Sequence, residues 1–403
     1  MAGAHDVIIV GGGLVGASLA IALDRAGLDT VLVEAAPPGA MPPVFDQRNL
    51  SFADATVNAL TALGVMRELR GPPGPIRRIH VSRAGDFGSV ELDAADYGRD
   101  CFGMVVVARD FGEALEARLS SLTRVTRLRP ARVTGLEEVG GGTRGVRIAD
   151  ASGERVLRAR LVVAADGTRS GVREALGIAA DVHDYGQALF VARVRASRAP
   201  DGTAWERLRD DGPTALLPRG DGHYGLVHAV ADADADAVAA LDDAGFLARV
   251  QDAFGWRAGR FLAVGERSRY PAVRVVARAT VAARAVLVGN AAQTLHPVGA
   301  QGFNLGLRDA LTLAELVAQA EDPGSDAVLD AYAARRREDR GRTLDFSDGL
   351  ARLTANPAPW LRPLRSLGLL ALDQVPALQA RFAGGAMGYR GDVPALCRGG
   401  GAA

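Results

Sequence analysis

The segment around a glycine-rich turn near the N-terminus limits most strongly what this chain can fold into. A short apolar run, Asp6 to Val10, leads directly into Gly11, Gly13 and Gly16, which have the G-x-G-x-x-G spacing. That spacing joins a strand to a helix and lets a pyrophosphate approach the backbone. After the helix and a second apolar strand comes Glu34, 21 residues beyond Gly13, where an acceptor for a ribose hydroxyl is expected. The segment therefore predicts a βαβ dinucleotide site, and the acid favours FAD or NAD over NADP.

A second constraint is the stretch from Val286 to Asp309, which predicts a buried strand, a loop of small residues and a helix that begins near Phe303. Pro297, Gly299 and Gly302 within so short a span indicate that backbone comes close to a bound group. The first N–H groups of such a helix carry partial positive charge, which favours an electron-rich or anionic group. A reduced flavin ring fits this requirement. The alternative is a strand–loop–helix crossover that binds nothing.

A third motif follows the apolar strand from Leu161 to Ala165, which ends in Asp166 and Gly167. Ligands of parallel sheets bind at the carboxyl ends of the strands, so Asp166 is a candidate ligand-binding residue. The alternative role is a helix cap by Asp166 or Thr168, and the two roles are compatible.

The hydrophobic pattern predicts an α/β chain of two interleaved domains and a helical tail. Two separate segments, Ile76 to Leu92 and Leu189 to about Pro271, alternate as antiparallel strands. We therefore expect a Rossmann-type FAD-binding domain with an inserted antiparallel-sheet substrate domain and a C-terminal helical segment. The predicted boundaries are 1–74, 101–180 and 273–345 for the FAD-binding domain, 75–100 and 181–272 for the substrate domain, and 346–403 for the C-terminal helical region.

Composition excludes several classes of protein. Lys+Arg and Asp+Glu both total 47, so there is no basic footprint for nucleic acid. The sequence contains no lysine, which excludes a mechanism built on a catalytic lysine. Cys101 and Cys397 fit neither a redox pair nor a metal cluster, and we expect no metal site. The uncharged run from Val7 to Leu23 contains three consecutive glycines, so we do not interpret it as a membrane span.

The three motifs together resemble those of the group A flavoprotein aromatic hydroxylases, typified by para-hydroxybenzoate hydroxylase. The loop GNAAQTLHP with GFNLG, and the segments FDQRNLS, TAWERL and ERSRYP, are similar to those of the ubiquinone-biosynthesis hydroxylases. Within that branch they look most like the members that act on 2-polyprenyl-6-methoxyphenol. The resemblance runs from the N-terminus to about Gly388.

The resemblance implies how the chain holds FAD. Gly11, Gly13 and Gly16 would hold the pyrophosphate, Glu34 would bind the adenosine ribose, and Val133 would contact the adenine through its backbone. Arg48 and Arg109 would lie along the isoalloxazine and pyrophosphate, Asp166 and Gly167 would lie near the flavin's ribose side, and Asn290 would lie at the ribitol. Gly302 and the N–H groups of Phe303 and Asn304 would lie at the flavin carbonyl. His296 and Pro297 would lie beside the flavin edge where oxygen reacts and, with Arg48, form the catalytic set. The wider family has Gly-Asp where this chain has Gly289-Asn290, so the ribitol contact would be a neutral hydrogen bond. Many members of the branch have Ala-Gly where this chain has Gly299-Ala300.

The resemblance also implies an activity. The chain would be an FAD-dependent monooxygenase that hydroxylates the ring of a polyprenylated phenol, using NADH or NADPH and O2 through a C4a-hydroperoxyflavin. Three other hypotheses remain open: a sister hydroxylase acting at another ring position, a prenyl-chain reductase, and a non-catalytic FAD-binding subunit of a quinone-synthesis complex. A flavin halogenase would require an active-site lysine. His223, Tyr224 and His228 are weak candidates to accept the phenol proton, because such residues on a sheet usually pack.

The expected partners are a polyprenylated phenol and other ubiquinone-biosynthesis proteins, and no nucleic acid. The expected location is cytoplasmic, peripheral to the inner membrane. The stretch from Trp360 to Leu372, with Arg362 and Arg365, is the candidate for contact with an anionic membrane surface. Packing of this stretch on the FAD domain is the alternative.

Overall fold

The computed structural model describes residues 4–39, 46–354, 358 and 361–399. The strands in these ranges are β1 (His5–Val10), β2 (Thr30–Val33), β3 (Asn49–Ala53), β4 (Gly74–Ile76), β5 (Arg78–Arg83), β6 (Ser89–Asp93), β7 (Gly103–Val107), β8 (Val125–Leu128), β9 (Arg132–Gly140), β10 (Thr143–Asp150), β11 (Gly153–Ala164), β12 (Ala180–Ala196), β13 (Thr203–Leu208), β14 (Thr214–Pro218), β15 (Tyr224–Ala231), β16 (Phe261–Val264), β17 (Ser268–Ala277), β18 (Val281–Ala282), β19 (Ala285–Leu287) and β20 (Gln293–Thr294). The helices are α1 (Leu14–Arg25), α2 (Asp54–Ala62), α3 (Ala108–Leu119), α4 (Gly171–Ala175), α5 (Ala235–Ala239), α6 (Asp243–Phe254), α7 (Gly302–Ala318), α8 (Asp326–Thr354), α9 (Leu361–Gln374) and α10 (Pro376–Ala386).

A parallel sheet in the order β19-β11-β1-β2-β8 forms the centre of the nucleotide-binding part. The β1 strand is buried because it has a strand on each side and helices packed against its apolar side chains. Val7, Ile8 and Ile9 have no exposed surface. Helices α1, α3 and α7 pack against this sheet in one continuous apolar cluster. The antiparallel hairpin β9–β10 extends the sheet from β11, and Gly141 and Gly142 form its turn.

A second, mainly antiparallel sheet has the order β20-β17-β12-β15-β14-β13-β5-β6, with β16 also paired to β12. Its strands come from both sequence segments that alternate in hydrophobicity. The predicted boundary at residue 272 falls inside β17, which runs to Ala277, and β20 joins the same sheet. One face of this sheet packs against α6 through residues such as Phe190 and Leu226.

A small sheet, β3-β7-β4, connects the two larger sheets. Its strand β4 approaches the substrate sheet so closely that a Cβ on Gly74 would lie 2.0 Å from the Pro218 carbonyl oxygen. Backbone contact of this kind fixes the small sheet relative to the substrate sheet.

The C-terminal helices close one side of the substrate sheet. Leu369 and Leu372 of α9 and Phe382 of α10 pack on the apolar cluster of β5 and β6. Arg365 donates to the buried Asp86 carboxylate at 3.1 Å, and Asp373 accepts the Glu91 N–H at 3.2 Å.

Among the helices described, none combines the length and the hydropathy that crossing a bilayer requires.

Candidate functional site

The glycine turn after β1 is built for close backbone approach. Gly11 has φ +102°, and a Cβ there would lie 2.5 Å from the Ala165 carbonyl oxygen. A Cβ on Gly16 would lie 1.9 Å from the Gly11 carbonyl oxygen, so α1 can begin at this point only with glycine. Gly13 is the N-cap residue of α1 and has no side chain to cap it. The first N–H groups of α1 are therefore left for a bound anion.

Glu34 lies at the end of β2, beside this turn. Its Oε2 accepts the Gly12 N–H at 2.7 Å, and its Oε1 accepts the Ala36 N–H at 2.7 Å. The two backbone donors fix the orientation of the carboxylate. Each oxygen keeps a further lone pair, which a ribose hydroxyl can use.

An open cleft of about 400 Å³ adjoins Glu34. Four residues that the sequence analysis singled out line it together: Gly11, Glu34, Val133 and Asp166. Val133 lies on β9, where Ile148 of β10 is its partner. The cleft thus combines a glycine turn, a carboxylate and the backbone of an edge strand, which suits the adenosine half of a dinucleotide.

The N-cap residue of the short helix α4 is Ser170, whose hydroxyl accepts the Arg173 N–H at 2.9 Å, and not Asp166 or Thr168 as the sequence suggested. Asp166 supports this cap: its Oδ1 accepts the Ser170 hydroxyl at 2.5 Å, and its Oδ2 accepts the Val172 N–H at 3.1 Å. Gly167, next in the chain, has φ +85° and open space around it. Asp166 also borders the cleft.

The loop of the stretch from Val286 to Asp309 lies against the other two motifs. The Thr168 and Thr294 hydroxyls are 2.8 Å apart, and Arg173 donates to the Ala291 carbonyl at 2.9 Å. On the other side, a Cβ on Gly306 of α7 would lie 2.9 Å from both the Gly289 Cα and the Val15 Cγ2. The turn after β19, the start of α1 and the first turns of α7 thus meet at one place, and Asn290 projects from it with its side chain exposed.

The side chain of Asn304 does not point into the cleft but holds the loop before α7. Its Oδ1 accepts the Ala53 N–H at 2.9 Å and the Thr56 hydroxyl at 2.8 Å. Its Nδ2 donates to the Ser51 and Ala300 carbonyls, both at 2.9 Å. The Ala300 residue has φ +49°, an unfavourable conformation that this hydrogen bond helps to hold. The backbone N–H groups of Gly302, Phe303 and Asn304, in the first turn of α7, have no acceptor within the helix.

The centre of the Phe303 ring lies 5.3 Å from the ring centres of both Phe52 and Phe111. This packing anchors the first turn of α7 to the small sheet. The side chain therefore contributes to the core, and only its backbone faces the loop.

His296 is buried and neutral. Its Nδ1 accepts the Val298 N–H at 3.2 Å, so the proton lies on Nε2, 3.1 Å from the Gln187 Oε1. Burial lowers the pKa of His296 to about 4. The ring of Tyr185 packs edge-on against the His296 ring, with the ring centres 4.9 Å apart. Pro297 follows as the residue before a short 3-10 turn. His296 thus ties this loop to β12 of the substrate sheet, and its lowered pKa keeps the ring in the neutral form at neutral pH.

Arg48 lies between the two parts of the protein. Its Nε and Nη2 donate to the Asp46 carboxylate at 2.9 and 2.8 Å, and its guanidinium lies 4.3 Å from the centre of the Tyr270 ring. The Tyr270 hydroxyl donates to the same carboxylate. Although burial would raise the pKa of Asp46, the hydrogen bonds from Arg48 and Tyr270 keep it below its usual value. Arg109 begins α3 nearby: its N–H donates to the Asp46 carbonyl at 2.9 Å, and its side chain is exposed.

A buried ion network behind the loop could not be located from the sequence. Arg308 donates to Asp339 at 2.7 and 3.0 Å, and Arg336 donates to Asp309 at 2.7 Å and to Asp339 at 2.8 Å. Asp309 in turn accepts the Gly289 N–H at 3.3 Å. In the sequence, Arg308, Asp309, Arg336 and Asp339 are only charged residues on two predicted helices, a pattern that usually indicates a solvent-exposed helix face.

The three weak candidates for a proton acceptor do not lie in the apolar cluster of the substrate sheet that contains Tyr270. His228 packs against Phe246 of α6, on the far face of the substrate sheet, and its Nδ1 lies 2.8 Å from the Thr214 hydroxyl. Tyr224 belongs to the same apolar cluster. His223 lies in the turn before β15 and pairs with Arg193 at 2.9 Å.

The residues present fit FAD. The glycine cradle leaves no room for side chains where a pyrophosphate would lie, the Glu34 carboxylate is oriented, and a helix start with free N–H groups faces the loop at the other end. Within the described ranges, no group of three or more His, Cys, Asp or Glu side chains is arranged to hold a metal ion.

Comparisons with known proteins agree with this geometry. The family described as FAD binding domain matches residues 4–347. The chain is 36% identical over 388 residues to ubiquinone hydroxylase UbiL of Rhodospirillum rubrum, covering 95% of this chain and 89% of that protein. It is 30% identical over 385 residues to 3-demethoxyubiquinol 3-hydroxylase of Escherichia coli, covering 93% and 96%.

Among solved structures, p-nitrophenol 4-monooxygenase PnpA from Pseudomonas putida matches with a TM-score of 0.77 over 96% of this chain and 98% of that one. Its sequence identity is 20%, so this likeness shows the fold. The fold, the cradle and the relatives agree on FAD as the cofactor, with NAD(P)H and O2 as co-substrates. The chain belongs to the family of FAD-dependent aromatic-ring monooxygenases, in the branch of the ubiquinone-biosynthesis hydroxylases.

Proposed function

We propose that this chain hydroxylates the ring of a polyprenylated phenol of the 2-polyprenyl-6-methoxyphenol type. The observation that carries this proposal is the apolar face that the substrate sheet turns toward the Arg48–His296 side. Leu189, Ala229 and Ala272 form a cluster there with Tyr185, Val227 and Tyr270. The names of the relatives, which act in ubiquinone biosynthesis or on demethoxyubiquinol, support the same substrate class.

The two faces of this sheet differ in accessibility. On the α6 face, Phe190 and Leu226 are at most 2% exposed. On the opposite face, the neighbouring Val191 and Val227 keep accessible surface. Leu189, Ala229 and Ala272 of this face are at most 6% exposed, so its accessible part lies at Val191 and Val227. Such an apolar surface suits an aromatic ring with a hydrocarbon chain, because little polar surface of the protein loses water on binding.

The roles of the site residues are part of the proposal. Bound FAD would supply hydride acceptance from NAD(P)H and the activation of O2. The N–H groups of Phe303 and Asn304 would stabilise negative charge on the ring carbonyl, because they lie at the positive end of α7. Arg48, held by Asp46 and Tyr270, would present its guanidinium between cofactor and substrate. The backbone around His296 and Pro297 would exclude water from the reacting edge.

The remaining cofactor contacts follow the same assignment. Glu34 would bind the adenosine ribose, and Asp166 with Gly167 the ribose side of the flavin. Asn290 would donate a neutral hydrogen bond to the ribitol, and Arg109, exposed at the start of α3, would lie along the pyrophosphate. We assign the substrate sheet and its connections to the substrate domain, and the parallel sheet to the FAD-binding domain.

We also propose that α9 and α10 contact an anionic membrane surface, from which a polyprenyl phenol would enter. Between Arg362 and Arg381 the exposed residues include Leu364, Leu367 and Leu370 and no carboxylate. The one acid in this described stretch, Asp373, is only partly exposed and accepts the Glu91 N–H. Trp360, which belongs to the predicted membrane stretch, lies outside the described residues. An apolar surface with cations at both ends suits anionic lipid.

The first experiment measures NAD(P)H and O2 consumption by the FAD-loaded protein with and without a short-chain 2-prenyl-6-methoxyphenol, followed by mass spectrometry. Stimulated consumption and a product heavier by one oxygen atom are expected, and NMR then gives the ring position. Val227→Phe should raise the KM, because it fills the apolar face, whereas Val182→Phe, on a residue 70% exposed, should not. Bound FAD without stimulation by any prenylphenol, even with membranes and sister proteins added, would favour the non-catalytic subunit.

The membrane contact is tested by co-sedimentation with vesicles containing anionic phospholipid. Leu367→Asp should reduce binding and Val182→Asp should not, with the melting temperature unchanged in both variants. Equal binding of Leu367→Asp and the unmodified protein would refute the contact.

A further inference from the structure

One cross-strand row of the substrate sheet contains a carboxyl group among apolar side chains. Glu206 on β13 is paired with Ala215 on β14 and with Val81 on β5. Ala215 is paired in turn with Val227, which is paired with Val191. Residues directly opposite each other in neighbouring strands point to the same face. Glu206 therefore lies on the face that carries the apolar wall of the proposed substrate cleft.

The alternation along β13 gives the same orientation. Trp205 packs against Phe254 on the α6 side, with the ring centres 6.3 Å apart. Ala204 packs on the opposite side, against the cluster that α9 and α10 cover. Because successive side chains of a strand point to opposite faces, Glu206 shares the face of Ala204.

Glu206 keeps accessible surface and has apolar neighbours across the sheet, Ala215 and Val81. Partial burial raises the pKa of its carboxyl to about 7, with no contribution from a neighbouring charge. Among the described residues, none forms a hydrogen bond or ion pair with its side chain. The charged groups of the same region are occupied with one another: Arg83 and Arg365 both pair with Asp86, at 3.5 and 3.1 Å. An accessible carboxyl among apolar side chains, without a described protein partner, is free to bind a ligand that donates a hydrogen bond.

We propose that Glu206 receives the hydroxyl group of the phenol substrate and accepts its proton. This inference rests on the proposed function, since it requires a phenol in the cleft. The proton passes from the phenol oxygen to the Glu206 carboxylate, and the electron pair of the broken O–H bond remains on the oxygen as phenolate. Phenolate is more electron-rich at the ring carbons ortho and para to the oxygen, where an electrophilic oxygen is added. When the hydroxylated ring becomes aromatic again, it loses the proton of the attacked carbon to water, and Glu206 returns its proton to the product oxygen.

The apolar row explains the position of this carboxyl. Between Val191 and Val81 the row offers no other group that can bind a hydroxyl, so Glu206 fixes where the oxygen of the ring lies. It thereby determines which ring carbon faces the reacting edge beside His296. The histidine and tyrosine candidates on this sheet face α6 or lie in a turn, and so cannot substitute for it.

The test uses the FAD-loaded protein, a short-chain 2-prenyl-6-methoxyphenol and its O-methyl ether, which has the same shape but no proton to donate. Dissociation constants come from the change in flavin absorbance, and kcat and KM from substrate-stimulated NAD(P)H oxidation. Glu206→Gln keeps a hydrogen-bond acceptor but cannot take the proton; Glu206→Leu keeps the approximate volume and removes both functions. Glu266→Gln, on an exposed glutamate of the same sheet region, is the matched control. FAD content and melting temperature verify folding.

We expect Glu206→Gln to change the dissociation constant of the phenol by less than about threefold and to lower kcat by roughly 10²-fold or more, as loss of a proton acceptor does. Glu206→Leu should bind phenol and methyl ether equally, whereas the unmodified protein should prefer the phenol by about tenfold. A Glu206→Gln variant with unchanged kcat would overturn the role of Glu206 and leave the proposed function standing. A phenol preference that depends on Glu206 without hydroxylated product would overturn the proposed function and support the binding role.

Discussion

The His296 Nε2 lies 3.1 Å from the Gln187 Oε1, which joins the loop before α7 to the substrate sheet through one neutral hydrogen bond. Gln187 lies at the irregularity of β12 between Asp184 and Ala188, where its side chain turns toward the loop. A charged imidazole at this place would lose the Val298 N–H as a donor to Nδ1, since that nitrogen would itself carry a proton. The arrangement therefore stabilises the neutral form.

A consequence is that acid destabilises the protein through His296. Burial lowers its pKa to about 4, whereas the unfolded chain binds this proton near pH 6.5. Below pH 6.5 the unfolded state binds more protons, so the stability from the neutral histidine is present above pH 6.5 and is lost progressively toward pH 4. Between pH 7.5 and 5 we expect a loss of about 2 kcal/mol from this group. Urea unfolding at the two pH values measures it.

The controls for this prediction are two variants. His296→Asn should show a smaller difference between the two pH values. Tyr185→Phe alters the same contact but introduces no group that titrates in this range, so it should lower stability equally at both. If His296→Asn and the unmodified protein lose the same stability on acidification, the histidine is not the cause.

Asn304 should matter for stability through its side chain. In Asn304→Ala the Ala53 N–H and the Thr56 hydroxyl, both buried, lose their acceptor, and Ala300 loses its donor. We expect a loss of about 2–4 kcal/mol in the free energy of unfolding, together with weaker FAD retention because the loop is released. Chemical denaturation and flavin content after gel filtration measure the two effects.

The control lies at the other end of the same helix. Gln319 is exposed after the last turn of α7, so Gln319→Ala should change stability by less than about 0.5 kcal/mol. Equal stability of the Asn304→Ala and Gln319→Ala proteins would show that the four hydrogen bonds contribute nothing net.

Arg336 should be more important than its neighbour Arg337. Burial alone would lower the pKa of Arg336, but Asp309 and Asp339 raise it above its usual value. Arg336→Met leaves Asp309 without an ion-pair partner in the interior, which costs roughly 3–5 kcal/mol. Arg337 is exposed, and Arg337→Met should be nearly neutral. Thermal unfolding of the two variants side by side tests this, and similar melting temperatures would contradict it.

These residues show what local sequence can and cannot predict. The turn at Gly11 and the start of α7 near Phe303 follow from spacing and glycine content, because their conformations are fixed by residues a few positions away. The partners of Asn304 are about 250 positions away in sequence, at Ala53 and Thr56. No local pattern encodes such a contact, so the sequence analysis assigned Asn304 only a backbone role.

The orientation of the proton-acceptor candidates also depends on distant contacts. His228 and Glu206 both lie on strands, and the sequence alone does not say which face of the sheet meets the cofactor. The register of the strands decides it: His228 is opposite Phe190, which packs on α6, whereas Glu206 is in the row of Val227. Chemical type drew attention to the histidine, and only the strand pairing places the glutamate on the face of Val227.

Gly306 should be intolerant of even one added carbon. A Cβ at this position would lie 2.9 Å from the Gly289 Cα and 2.9 Å from the Val15 Cγ2, and the first of these is backbone that cannot turn aside. Gly306→Ala should therefore lower the free energy of unfolding by about 1–3 kcal/mol and weaken FAD retention, since it separates α7 from α1. Gly341 lies within α8 with no atom within 4 Å of its added Cβ. Because glycine is unfavourable inside a helix, Gly341→Ala should instead raise stability by roughly 0.5–1 kcal/mol. Denaturation midpoints and flavin content measure both variants, and a shift of the same sign in the two would refute the close packing at Gly306.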